Sequence, residues 1–240
     1  MTDIHGVESI RAAAEWLEGT TPPENFRLCG RQWILCKGVF PATVTGGTEV
    51  FAGLLEPYFS GRFCEVGSGT GVISAWAGIG GAESVLSLDI NRNAVHNTTL
   101  NATRSGVGAK VVAVASDLFE SVDPTDSFDC IFWNSPWNLV DCDVQLSSDL
   151  ERAICDSGYS LHKRYIEEVQ RYLRPGGVAL LGTADVADIA LLHEIAADVG
   201  CNLRVVATER RLEVHRLMTY YLLEIQRNGP KLLDTEHGWG

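Results

Sequence analysis

Four short stretches of the chain hold residue types that can do chemistry together. The first is Glu65-Val66-Gly67-Ser68-Gly69-Thr70-Gly71, whose alternate glycines allow a tight turn and let a ligand press against the backbone. Two further carboxylates, Asp89 and Asp117, each follow an apolar run, Val85 to Leu88 and Val111 to Ala115. Asp89, with Ile90 beside it, can accept both hydroxyls of a ribose, and Asp117 can accept from an adenine amino group with Leu118 against the ring. The fourth stretch, Asn134-Ser135-Pro136-Trp137, ends the apolar run Phe128 to Trp133. Pro136 holds Ser135 extended, so the Asn134 side-chain oxygen and the Ser135 carbonyl can aim at one spot. Two acceptors so placed suit a planar NH2 group, and Trp137 can stack on its plane. Each feature alone also reads as a helix cap, a turn or a core residue. Their occurrence at the ends of four successive apolar runs selects a ligand site.

Those runs must be strands for the clusters to meet. From residue 47 the chain alternates regularly. Val50, Phe51, Leu54, Leu55 and Tyr58 recur at helical spacing before Gly61. Strands are predicted at 62–66, 84–90, 110–116, 128–133, 178–183, 203–209 and 216–226, and helices near 71–79, 92–104, 159–173 and 186–199. Near-continuous apolar strands alternating with helices imply a parallel sheet covered on both faces. The connection around Leu212-Glu213-Val214 is too short for a parallel crossover, so the last two strands should pair antiparallel. The expected fold is therefore α/β: a seven-stranded, mostly parallel sheet with helices on both faces and an antiparallel C-terminal hairpin. Open sheets of this kind bind ligands at the carboxyl edge, where all four clusters lie. Residues 1–45 read as an N-terminal helical extension: a helix over 8–19, a break at Thr21-Pro22-Pro23, then a short strand or loop at Gln32 to Leu35. It is too short to fold alone and should pack on the main domain, 46–228, with 229–240 as a tail.

Composition bounds the function. The chain has 240 residues, and its 45% hydrophobic content is that of a globular domain, not of a disordered or fibrous chain. No apolar run approaches the ~20 residues of a membrane span. The N-terminus lacks the basic and apolar regions of a signal peptide, so a cytoplasmic protein is expected. Nineteen basic residues against 31 acidic ones give a net charge of -12, which disfavours nucleic acid and favours a neutral or cationic small molecule or peptide. The seven cysteines contain no CxxC, and no histidine stands at ligand spacing from Asp141-Cys142-Asp143, so no metal is expected. The stretch between Trp137 and Tyr159 sets Asp141, Asp143, Asp149, Glu151 and Asp156 against the single base Arg152. It reads either as a lid with Asp141 and Asp143 as contacts to a cationic acceptor, or as a solvated helical cap.

In order and spacing, Glu65 to Gly71, Asp89, Asp117, Asn134 to Trp137 and Leu173-Arg174-Pro175-Gly176-Gly177-Val178 resemble the class I S-adenosylmethionine-dependent methyltransferases over roughly residues 40–226. The resemblance implies S-adenosylmethionine bound across Glu65, Gly67, Ser68, Gly69, Gly71, Asp89, Ile90, Asp117, Leu118 and Asn134. Asn134-Ser135-Pro136-Trp137 is similar to the Asn-Pro-Pro-Tyr motif of enzymes that methylate amide or exocyclic amino nitrogens, among them release-factor glutamine and adenine methyltransferases. By that likeness Asn134, Ser135, Pro136 and Trp137 are the catalytic residues, with Trp137 also touching substrate. Val39 to Thr45, followed by Thr48-Glu49, is similar to the segment that covers the cofactor's methionine end in the glutamine enzymes, which implicates Pro41, Thr45 and Thr48. Ser135 and Trp137 stand where that motif has Pro and Tyr, and the extension is shorter than the glutamine enzymes' substrate domain. Release-factor methylation is thus the alternative to a planar amide, amino or guanidino nitrogen of a small metabolite or peptide.

Two readings of other classes stay open at this point. An NAD-dependent oxidoreductase would want a small residue where Val72 stands. A non-catalytic cofactor-binding subunit would have no use for the acceptors at 134–137. No general base is evident, and His96 and His162 fall on predicted helices as surface or core residues.

Overall fold

A computed structural model describes residues 24–213 and 216–228, together with Ala12, Glu15 and Gly19. The continuous described chain begins with a hairpin, β1 (Asn25–Leu28) and β2 (Arg31–Ile34), which turns at Cys29 and Gly30, both with positive φ. Eight further strands and six helices follow before the last strand. The helices are α1 (Gly47–Leu54), α2 (Val72–Gly80), α3 (Arg92–Arg104), α4 (Asp149–Ile154), α5 (Ser160–Glu168) and α6 (Ile189–Asp198). The remaining strands are β3 (Arg62–Val66), β4 (Ser84–Asp89), β5 (Val111–Ala115), β6 (Phe128–Asn134), β7 (Asn138–Val140), β8 (Cys155–Ser157), β9 (Leu173–Ala184), β10 (Cys201–Leu212) and β11 (Leu217–Arg227).

Seven of these strands form one sheet in the order β10-β11-β9-β6-β3-β4-β5, parallel except for β11, which runs against both its neighbours. The expected fold and its antiparallel hairpin are both present. Strand order reverses beside β3, and register brings the clusters together there. Val66 lies opposite Leu88 on one side and Trp133 on the other, so Gly67, Asp89 and Asn134 all sit one step beyond the same line. Alternation along β6 feeds two cores. Phe132 packs with Phe51, Phe63 and Tyr220 on one face, while Ile131 and Trp133 pack with Leu88, Tyr165 and Leu223 on the other.

Local signals explain the boundaries. Asn91 is extended and its side chain accepts from the Asn93 N–H, capping α3, which spans the predicted 92–104. The helix predicted over 159–173 runs only from Ser160 to Glu168 and tightens into a 3-10 turn, Val169–Tyr172. β9 starts five residues before its predicted position. Leu173 pairs with Phe128 across an irregularity, which carries Pro175, Gly176 and Gly177 into the strand as an edge of the ladder.

The described part of the extension is the hairpin and the segment after it, and these pack on the main domain. Trp33 is fully buried, and Asn97 and Asn101 of α3 hold the backbone of Ile34 and Cys36 through four hydrogen bonds of 2.8–2.9 Å. Apart from Ala12, Glu15 and Gly19, which are helical and exposed, the helix expected over 8–19 lies outside the described residues, as does the tail 229–240. No helix among the described residues is long and apolar enough to cross a membrane.

Candidate active site

A cavity of about 320 Å³ opens at the carboxyl edge where strand order reverses, and a second of about 310 Å³ adjoins it. Gly67, Asp89, Ile90, Trp133 and Arg152 belong to the walls of both, so the two form one elongated cleft. The glycine loop makes its floor. At Gly71 φ is +75°, and a side chain there would bring a Cβ 2.5 Å from the Thr98 Cα, so only glycine fits between loop and α3. The loop is tied down as well as tight. The Gly69 N–H donates to Asp89 Oδ2 and the Asn91 N–H to Oδ1, both at 2.8 Å, which fixes the Asp89 carboxylate at the junction of the two cavities. Burial raises the Asp89 carboxyl above the usual range, while these two donors oppose the rise.

Glu65 lies behind the loop on the wall of the first cavity, 3% exposed. Ser74 donates to it, and Ser74 in turn lies 2.5 Å from the Ser87 hydroxyl. Burial pushes the Glu65 carboxyl up to about 8, partly offset by the Ser74 hydrogen bonds. A cation brought against Glu65 would return it to the ionised form.

Asn134, Ser135, Pro136 and Trp137 all line the first cavity. The Asn134 Oδ1 is buried and has no hydrogen-bond partner in the protein. A buried acceptor left open costs free energy, which a ligand N–H would restore. The backbone N–H and hydroxyl of Ser135 both donate to the Gly182 carbonyl at 3.2 Å, which pins the turn to β9. Trp137 packs edge-on against Tyr220, with ring centroids 5.7 Å apart. Its carbonyl accepts from the Tyr159 hydroxyl at 2.9 Å, and the same hydroxyl accepts from the Asp188 N–H at 3.0 Å. Tyr159 is fully buried at φ 52°, a backbone conformation that costs energy for a non-glycine residue and persists only when surrounding contacts hold it.

The segment before α1 covers the other wall. Thr45 and Thr48 line the cavity, together with Val39, Phe40, Ala42 and Val44. Pro41 is not on the wall. Its carbonyl closes a turn with the Val44 N–H at 3.1 Å, and that turn presents its neighbours instead. Glu213 steadies the cover by accepting from the Gly46 N–H and the Tyr220 hydroxyl, and Arg211 pairs with Glu49 at 2.7 Å.

Asp117 and Leu118 line the second cavity rather than the first, beyond Asp89 and Ile90. Arg164 Nη1 donates to both Asp117 oxygens at 3.1–3.2 Å, a partner that sequence spacing did not reveal. The substrate contacts expected at Asp141 and Asp143 require correction. Both are exposed and off the cavity, because the turn closed by the Val144 N–H on the Asp141 carbonyl stands at the outer end of the β7–β8 ladder. From the same acidic stretch α4 reaches the first cavity through Asp149, Arg152, Ala153 and Ile154, while Leu146, Asp156 and Ser157 line the second. Arg152 pairs with Asp149 at 3.0 Å and touches both cavities. The missed signal was Ser148-x-x-Glu151, a capping box: Ser148 accepts from the Glu151 N–H, and Glu151 reaches back to Ser147. Asp156 and His162, both 1% exposed and 2.7 Å apart, form a buried pair under Trp133, so His162 is a core residue; His96 is exposed. No group of residues that could hold a metal ion occurs among the described residues.

Comparisons with known proteins identify the family. The family described as methyltransferase small domain matches residues 33–214. A Methanocaldococcus jannaschii protein named as a protein N5-glutamine methyltransferase is 36% identical over 116 residues, 48% of this chain and 57% of the relative. The ribosomal RNA small subunit methyltransferase C of Acinetobacter baumannii is 26% identical over 158 residues, 64% of this chain and 44% of the relative. The chain thus spans about half the length of the curated relatives it matches. Among solved structures, the Thermus thermophilus 16S rRNA N2 guanine methyltransferase, in complex with AdoMet and guanosine, superposes with a TM-score of 0.54 at 20% identity, covering 85% of this chain and 50% of that one. The ribosomal RNA relative overturns the expectation that nucleic acid is disfavoured as a partner. Net charge averages over a whole surface, whereas an acceptor meets one face of it. The relatives likewise give no support to a small metabolite as acceptor, since those named act on protein or RNA.

Proposed function

The chain belongs to the methyltransferase small-domain family, and on that premise we propose that it transfers the methyl group of S-adenosylmethionine to a planar nitrogen, an amide or an exocyclic amino group. The observation that carries this reading is the unpaired, buried Asn134 Oδ1 on the same cavity as Glu65 and Asp89. The residues present fit the cofactor. Glu65 offers a carboxylate to its ammonium, Asp89 accepts from its ribose hydroxyls, and Asp117 and Leu118 stand where the cleft continues past the ribose. S-Adenosylmethionine supplies the methyl group and departs as a neutral thioether, so the protein's task is largely one of positioning.

Asn134 and the Ser135 carbonyl perform that task by accepting the N–H groups of the acceptor, which aims its lone pair. The same two oxygens favour the positive charge that develops on nitrogen in the transition state. The proton becomes acidic only once the nitrogen carries the methyl group, so no dedicated base is required. Trp137, held between Tyr220 and Gly47, gives the acceptor plane an aromatic wall. The nitrogen of a glutamine side chain and the amino group of guanine both meet this description, and they are the acceptors named for the two curated and solved relatives. All seven cysteines are free, which suits the reducing cytoplasm, the compartment we propose.

The test is transfer of labelled methyl from S-adenosylmethionine to glutamine-containing peptides and to single-stranded RNA, with wild type and Asn134→Ala side by side. Label on nitrogen in wild type and its loss in Asn134→Ala is the expected result. Equal transfer by both proteins would overturn the assignment.

A further inference from the structure

Cations are distributed unevenly over this acidic chain. Arg62, Arg164, Arg174, Arg211 and Arg216 are ion-paired, with Asp126, Asp117, Asp129, Glu49 and Asp185 respectively. Lys163, Arg171, Arg210 and Arg227 form no ion pair among the described residues, but residues 25–48 and 90–116 differ in holding no Asp or Glu at all, although the chain has 31. Their arginines and lysines form no ion pair among the described residues. Lys110 serves the fold, capping the end of α2 through the carbonyls of Gly78 and Ala82. The other five are Arg27, Arg31, Lys37, Arg92 and Arg104, all exposed. Arg104 meets only the neutral side chains of Asn25 and Gln32, and Arg31 lies over the Trp76 ring at 5.8 Å.

These residues belong to one surface. Asn97 and Asn101 bind the hairpin backbone to α3, and Asn91 Nδ2 donates to the Gly38 carbonyl at 2.7 Å. From Arg92 to Arg104 the helix rises about 18 Å. The stripe begins at the cleft, since Val39, Asn91 and Ala94, neighbours of Lys37 and Arg92, line the first cavity. We propose that this stripe docks the phosphate backbone of an RNA acceptor and delivers an unstacked base to the cavity. Cations with no acidic residue interleaved match a run of phosphates, and single-stranded bases can be splayed into a pocket. What enters the cavity rests on the planar-nitrogen reading; the docking itself does not.

Binding of a fluorescein-labelled single-stranded RNA of about 20 nucleotides tests it by anisotropy, in S-adenosylhomocysteine, from about 50 to about 200 mM salt. Five contacts at a slope of about 0.7 each predict a loss of affinity of about 100-fold over that range. In the variant Arg27→Gln/Arg31→Gln/Lys37→Gln/Arg92→Gln the loss should shrink to about threefold. Affinity at low salt should fall at least tenfold, while calorimetric binding of S-adenosylhomocysteine stays unchanged and reports an intact cleft. Arg204→Gln/Arg216→Gln should bind RNA as wild type does. Unaltered affinity and slope in the quadruple variant, or no RNA binding by wild type, would overturn the proposal. Equal affinity for polyglutamate, lost in the same variant, would assign the face to an acidic protein and overturn RNA. RNA bound through the stripe but never methylated would leave the docking standing and refute the nitrogen reading instead.

Discussion

Glu65 gives the sharpest test of where the cofactor's ammonium lies. Its carboxyl titrates at about 8 instead of the ordinary 4.5 because it is buried. At pH 7, one unit below, about nine-tenths of the empty protein carries it protonated. A ligand that sets an ammonium against Glu65 requires the ionised form, so binding should release about 0.9 proton at pH 7 and affinity should rise about tenfold from pH 6 to pH 7. Calorimetric titration with S-adenosylhomocysteine in phosphate and in Tris reads the released proton as a difference in heat. Glu65→Gln should abolish most of that difference. The sign for stability is the opposite one. A carboxyl raised in the folded state contributes stability that is fully present below about 4.5 and is lost as pH rises through about 8, at about 1.4 kcal/mol per unit. The melting temperature of the empty wild type should therefore fall across this window relative to Glu65→Gln, and bound ligand should restore it. Identical heats in both buffers with wild type, or equal proton release by Glu65→Gln, would refute the placement.

Three further outcomes follow from the geometry. Asn134→Ala should lower kcat at least 100-fold while the calorimetric affinity for S-adenosylhomocysteine changes little, since the proposal assigns its open oxygen to the acceptor. Tyr159→Phe removes the hydroxyl shared by the Trp137 carbonyl and the Asp188 N–H; it should cost about 1–3 kcal/mol in denaturant unfolding and lower kcat more than it changes KM. Asp141→Asn/Asp143→Asn should leave kcat and KM for the methyl acceptor unchanged, because both side chains stand outside the cleft.

Where the sequence was readable, a local signal and a tertiary one agreed. Asn91 both ends β4's exit loop and caps α3, so the helix bounds follow from one residue type in one place. The apolar runs before Glu65, Asp89 and Asn134 are strands because both faces of the sheet are covered, and their common edge follows from parallel pairing. What escaped depended on how a loop is folded back. The capping box at Ser148 marks α4 as a helix, but nothing local turns Asp141 and Asp143 outward or sets α4 over the cleft; the β7–β8 ladder does that, pairing strands of three residues each across a connection. Pro41 likewise looks like a cover residue until the turn to Val44 rotates it away. The basic stripe was invisible in net charge because it depends on which segments become neighbours.

The contact between Trp137 and Gly47 ties the acceptor motif to the start of α1. A Cβ on Gly47 would lie 3.0 Å from the Cζ2 and Cη2 of the indole, so the large ring at 137 and the missing side chain at 47, 90 positions earlier, are a single choice. A homologue with tyrosine in place of the indole has room for alanine at the start of α1, and gains the helix-favouring residue there. Directed evolution that randomises the acceptor motif alone would explore only rings compatible with the cover already in place. Varying 47 together with 137 opens the shape of the acceptor wall, and with it the choice of nitrogen, without disturbing the glycine loop.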